Sequence, residues 1–134
     1  MATAETKKER RILKKYMTRY FTAKDRLGIL GNRLEKLKGE SHDSEASEIE
    51  TRIREQAQEA ERSALQIMDI IERLPADSTE RTIMELRHLD FMSWREINKA
   101  VHLTETPCYR YYRRGLDTLL KDPQVRAALG LYET

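Results

Sequence analysis

One cysteine, three prolines, five glycines and a single tryptophan stand in 134 residues, and each scarcity excludes something. Cys108 cannot form an internal disulfide, and one thiol makes no zinc site. A reducing, cytoplasmic setting is the simple expectation. Pro75, Pro107 and Pro123 leave long uninterrupted stretches, and β-branched alternation is absent, so helix is expected nearly throughout. No window approaches the ~18 apolar residues needed to span a bilayer. The opening MATAETKKERR has no apolar run behind its charges, so neither a membrane anchor nor a secretory signal is expected. His42, His88 and His102 show no metal-ligand spacing. No nucleophile–base pair, core carboxylate pair or glycine-rich phosphate loop is found, so no catalytic residue, cofactor or metal is expected, and the chain does not read as an enzyme.

What is present is charge in blocks. The net charge of +2 hides a basic stretch, an acidic one and a balanced one. Residues 1–40 hold 12 Lys/Arg against 5 Asp/Glu, residues 41–77 hold 4 against 10, and residues 78–134 hold 9 against 8. In the basic block, Leu13, Tyr16, Tyr20, Ala23, Leu27, Leu30, Leu34 and Leu37 recur at alternating spacings of three and four. That is a heptad seam. Gly28 and Gly31 each weaken this helix by roughly 1 kcal/mol relative to Ala. Lys38–Ser44 reads as a turn, with Gly39 as the stop and Asp43 or Ser44 as the next cap. A second seam follows through Ala46, Ile49, Ile53, Ala57, Ala60, Ala64, Ile67, Ile71 and Leu74. Two long helices on a short loop predict a long antiparallel helical hairpin, coiled-coil-like, over residues 1–74. Whether the seams close within one chain or between chains is open. The KKERR start is either a disordered tail or a phosphate-binding arm.

At Leu74-Pro75 the pattern changes from long seams to short capped helices, which places a boundary there and a second unit at 75–134. Ser78 or Thr79 caps a helix with Ile83, Leu86 and Leu89 on its apolar face. Asp90-Phe91-Met92 is a turn. Ser93-Trp94-Arg95-Glu96 is a capping box opening a helix with Ile97, Ala100 and Val101 inside. Trp94 reads as core. His102-Leu103 is a tight turn, and Thr104 caps a longer helix with Cys108, Tyr111, Gly115, Leu116 and Leu119 on its inner face. Asp122 caps and Pro123 opens a short final helix ending near Gly130. A short helix, a tight turn and a longer capped helix form a helix-turn-helix. Its second helix enters the major groove. The outer face of that helix holds Thr106, Tyr109, Arg110 and Arg113, flanked by Tyr112 and Arg114. Arginine binds guanine bidentately or neutralises phosphate. The bland alternative is an ordinary solvated face with core tyrosines.

The stretch ERTIMELRHLDFMSWREINKAVHLTETPCYRYYRRGLDTLL resembles region 4 of sigma-70 factors. It is closer still to the sigma-like transcriptional regulators of phages and prophages, of the ArpU/RinA late-transcription type. The anchors are Glu80-Arg81, Leu86-Arg87, Trp94, Glu96-Ile97, Val101, Leu103-Thr104, Cys108, Tyr111 and Leu116. Asn98, where the family usually has a small residue, and His102, where a glycine is common, depart from the pattern. The resemblance implies DNA-facing positions at Glu105, Thr106, Tyr109, Arg110 and Arg113, which Arg95, Thr104 and Arg114 complete.

The expectation is therefore an all-α chain, a helical hairpin followed by a sigma region 4-like helix-turn-helix unit. Its function would be that of a sequence-specific DNA-binding regulator of transcription. The partners expected are double-stranded DNA, RNA polymerase contacted through the hairpin, and a second copy joined through the N-terminal helices. A terminase small subunit-like packaging protein is the runner-up, set back because such proteins usually carry their DNA-binding unit first. A protein–protein adaptor is the third reading.

Overall fold

The computed structural model describes residues 3–38 and 43–132. Its elements are α1 (Ala4–Met17), α2 (Arg19–Leu37), α3 (Asp43–Ile71), α4 (Thr79–His88), α5 (Trp94–Val101), α6 (Glu105–Leu119) and α7 (Pro123–Ala128). No strand occurs among the described residues. The expected stop at Gly39 lies outside them, and Asp43 and Ser44 fall inside α3 rather than before it.

The first seam is not one helix. Thr18 interrupts it, its hydroxyl donating to the Lys14 carbonyl at 2.7 Å while its amide is shared between Lys14 and Lys15. Such back-bonding by a threonine loosens the regular ladder. The break gives the two halves different neighbours. Leu13 and Met17 are fully buried in a core shared with α4, α5 and α6, and sequence periodicity had passed over Met17.

Beyond the break, α2 lies antiparallel along α3. Arg19 donates to Gln66 at 2.8 Å, and Arg33 shares a groove with Arg52 much earlier in α3. Ala23 and Ala60 are buried, and Leu27, Leu30, Leu34, Leu37, Ile49 and Ile53 are half-buried. The inner track of α3 corrects the expected one. Ala57 is exposed, whereas Gln56 is half-buried and Ser63 is buried. Counting threes and fours from Ile49 through Ile53 leads to 56, 60, 63 and 67, so the period places polar residues inside. Ser63 is satisfied there by donating to the Glu59 carboxylate at 3.2 Å.

After α3 the chain turns at Pro75. The Ser78 hydroxyl donates to the Pro75 carbonyl and accepts from the Arg81 amide, capping α4. On α4 the buried residues are Ile83, Met84 and His88, while Leu86 and Leu89 are only half-buried. Phe91 follows at φ 57° and packs against Tyr20 and Phe21 of α2. α4 and α6 approach closely at Gly115. A Cβ there would stand 2.9 Å from the Met84 methyl and 3.2 Å from the Glu80 Cβ.

α1 is docked from outside. Arg10 grips Asp117 of α6 through two bonds of 2.7 Å, and Glu9 meets Arg126 of α7 at 2.9 Å. The Arg126 guanidinium holds the Glu9 carboxyl below its usual range. At the start of α7 Arg73 reaches Asp122, which caps that helix by accepting from Gln124. The common core thus takes residues from both sides of Pro75.

Candidate nucleic-acid interface

α5 opens on the capping box expected from Ser93 and Glu96. Ser93 Oγ accepts from the Glu96 amide at 3.2 Å, and the Glu96 carboxylate accepts from the Ser93 amide at 3.1 Å. These bonds favour the charged form and lower the Glu96 carboxyl. α5 ends at His102, in the left-handed region with φ 57° and ψ 41°. The Leu103 amide closes this corner on the Asn98 carbonyl at 3.0 Å, the pattern of a Schellman motif. Two residues later α6 begins. Thr104 occupies its N-cap position, but its side chain makes no capping bond. The threonine hydroxyl is therefore left for other partners.

The inner face of α6 is Cys108, Tyr112, Gly115, Leu116 and Leu119. Tyr112, not Tyr111, is the buried tyrosine. Both positions satisfy threes and fours from Cys108, so spacing alone could not choose. The choice lies with a partner across the core: Tyr112 shares a 2.8 Å hydrogen bond with His88 and packs edge-on against Trp94. Burial raises the Tyr112 phenol. The Cys108 thiol is buried and likewise pushed up, which marks it as an inert packing residue.

Tyr109 lies between core and surface. Its ring stacks tilted or edge-on with Trp94 and Tyr112, and its hydroxyl accepts from Lys14 at 2.7 Å. Glu105, Thr106, Arg110, Arg113 and Arg114 are all exposed on the outer side of α6. Arg110 has no acidic partner among the described residues, whereas Arg114 reaches Glu80 at 3.6 Å and covers Tyr111. Arg95 and Thr104 line a shallow groove at the α5–α6 corner with Asn98, Lys99, His102 and Leu103. So Thr106, Arg110 and Arg113 share one outward face, Tyr109 turns toward α1, and Arg114 leans toward α4.

Sequence reading missed two residues here. Lys99 stands one turn after Arg95, and helical spacing could have found it. Lys14 joins the site from 95 positions away, where no local signal exists. The Asn98 side-chain oxygen is buried without a hydrogen-bond partner, at a position where the resemblance calls for a small residue.

Compared with protein-family models, with characterised proteins and with solved structures, the chain matches none. Among the described residues no helix is long and apolar enough to cross a membrane, and no three His, Cys, Asp or Glu side chains gather as a metal would require.

Proposed function

We propose that the chain is a sequence-specific DNA-binding regulator of transcription, of the sigma-70 region 4-like type found in phages and prophages. In this reading α5, the His102 corner and α6 act as a helix-turn-helix. The observation that carries it is the outer face of α6. There Thr106, Arg110 and Arg113 are exposed on a longer helix that follows a short capped helix through a left-handed corner, and Arg110 has no acidic partner among the described residues. A guanidinium without an acid is ready for guanine or phosphate.

The roles divide by position. Arg110 reads a base bidentately, with Glu105 and Thr106 beside it at the start of the helix. Arg95, Lys99 and Arg113 meet the backbone, and the Thr104 hydroxyl is a further donor to phosphate. The α2–α3 pair is the arm that contacts RNA polymerase or a second copy. It offers Leu65 and Met68, both exposed, on α3. The chain carries no chemistry of its own in this reading and works in the cytoplasm.

The test is a binding titration on duplexes that the full-length protein selects from a random pool. Arg110→Ala is expected to cost about 1–3 kcal/mol and to relax preference at one position. Unchanged affinity and preference would remove α6 from the interface.

A further inference from the structure

Lys14 of α1 and Arg113 of α6 converge on one tyrosine. The Lys14 ammonium lies 5.2 Å from the centre of the Tyr109 ring and the Arg113 guanidinium 5.4 Å. Neither cation has a carboxylate partner among the described residues. The acid one turn along α6 from Arg113 is Asp117, and Arg10 already occupies both its oxygens. Two cations facing one aromatic ring with no counter-ion among the described residues make a locally positive site that favours an anion.

The third group completes the seat. Tyr109 accepts the Lys14 hydrogen bond, so its own O–H remains to donate. An ammonium with two N–H groups left, a phenol O–H and a planar guanidinium are together suited to the oxygens of one phosphate.

α1 extends the seat. Lys7 and Arg11 stand seven and three residues before Lys14, on the same edge of the helix, about 10 Å from end to end. Both are exposed and neither is paired among the described residues. The helix carrying them is held in place by buried Leu13 and Met17 and by the Arg10–Asp117 and Glu9–Arg126 pairs. The basic start from Ala4 onward is thus a fixed helix beside α6, not a loose tail.

We propose that the Lys14–Tyr109–Arg113 cluster seats a backbone phosphate of duplex DNA and that Lys7 and Arg11 follow the same strand, making α1 a second DNA-contacting helix beside α6. This rests on the reading that α6 meets DNA. The contact is to backbone only, so it strengthens binding without choosing sequence.

The experiment measures affinity against salt for the full chain on two probes, random-sequence duplex DNA and the duplex it selects. The variants are Lys14→Gln, Arg113→Gln, Lys7→Ala with Arg11→Ala, and Arg110→Ala, with thermal melting to check folding. Each lost phosphate contact is expected to flatten the slope of log affinity on log salt by about 0.9. The loss is expected on both probes alike, with base preference intact. A full wild-type slope in Lys14→Gln overturns the proposal. If that variant melts early, a full slope in the Lys7, Arg11 double variant, which breaks no side-chain pairing among the described residues, overturns it instead. Should Arg110→Ala still lose affinity in that case, the reading of α6 stands and only α1 is removed. If Arg110→Ala and every other variant bind as wild type, the reading of α6 fails as well.

Discussion

His88 Nε2 lies 2.8 Å from the Tyr112 hydroxyl, in the buried seam between α4 and α6. Burial, helped by the charges of Arg87 and Lys14, pushes the His88 imidazole down to about 4. The folded protein therefore holds this side chain neutral where an unfolded chain, titrating near 6.5, would take up a proton. The stability that follows is fully present above about pH 6.5 and is lost as pH falls toward 4. The loss is of the order of 3 kcal/mol. Chemical denaturation between pH 7 and 4 should show it, and His88→Gln should flatten the dependence while lowering stability at pH 7. An equal slope in wild type and variant would mean that other groups govern the acid limb.

At Gly115 α4 and α6 approach so closely that an added Cβ would not fit without a shift. Gly115→Ala gains up to about 1 kcal/mol of helix propensity. Against that, the new methyl must displace the Met84 methyl, which is the end of a flexible chain, and the Glu80 Cβ, which is not. The two effects are expected to cancel within about 1 kcal/mol. Gly115→Leu has no such balance and is expected to destabilise by about 2–3 kcal/mol. Denaturant midpoints of the two variants check the pair, and a Leu variant as stable as wild type would show that α4 moves aside freely.

The bidentate Arg10–Asp117 pair is the best-formed link between α1 and α6, and Arg10 is largely sheltered, with 15% of its side chain exposed. Its partner holds the Arg10 guanidinium above its usual range. Asp117→Ala is expected to cost about 1–2 kcal/mol, and the double variant with Arg10→Ala should cost less than the two singles summed. A strictly additive cycle, read from melting temperatures, would show that α1 is held by Leu13 and Met17 alone.

Much of this architecture was legible. Capping chemistry is local, so Ser78, Ser93 with Glu96, and Asp122 with Pro123 announce their helices in the sequence itself. Threes and fours found the α2 and α3 tracks because burial follows the helical period. Two of the failures share one cause. Where two neighbouring residues both fit the period, the choice belongs to the partner helix. His88 selected Tyr112 over Tyr111, and the α2 surface turned Gln56 inward rather than Ala57. The break at Thr18 was hidden because a hydroxyl bonding its own helix leaves the apolar spacing intact. Lys14 at the candidate site was invisible for a different reason, since its contact with Tyr109 is made by tertiary folding alone.

The pattern change at Leu74-Pro75 suggests two units. The core argues that residues 75–134 need the rest of the chain. Six of its fifteen buried members, Leu13, Met17, Ile67, Ile70, Ile71 and Leu74, lie before Pro75. They cover Ile83, Met84, Ile97 and Leu116, each fully buried in the whole chain. Burying one such aliphatic side chain contributes about 1.5–3 kcal/mol, and a whole domain is stable by only about 5–15 kcal/mol. Removing six is therefore comparable to the whole reserve of a unit of this size, before the lost ion pairs of Arg10, Glu9 and Arg73 are counted. The fragment 75–134 is expected to keep some helix by circular dichroism but to melt without a cooperative transition and to bind DNA weakly. Adding the 1–74 fragment in excess should restore both the transition and the affinity, because the buried faces are complementary. A sharp melt of 75–134 alone, close to that of the full chain, would show that the shared core is energetically minor and that the boundary at Pro75 is a true division of folding.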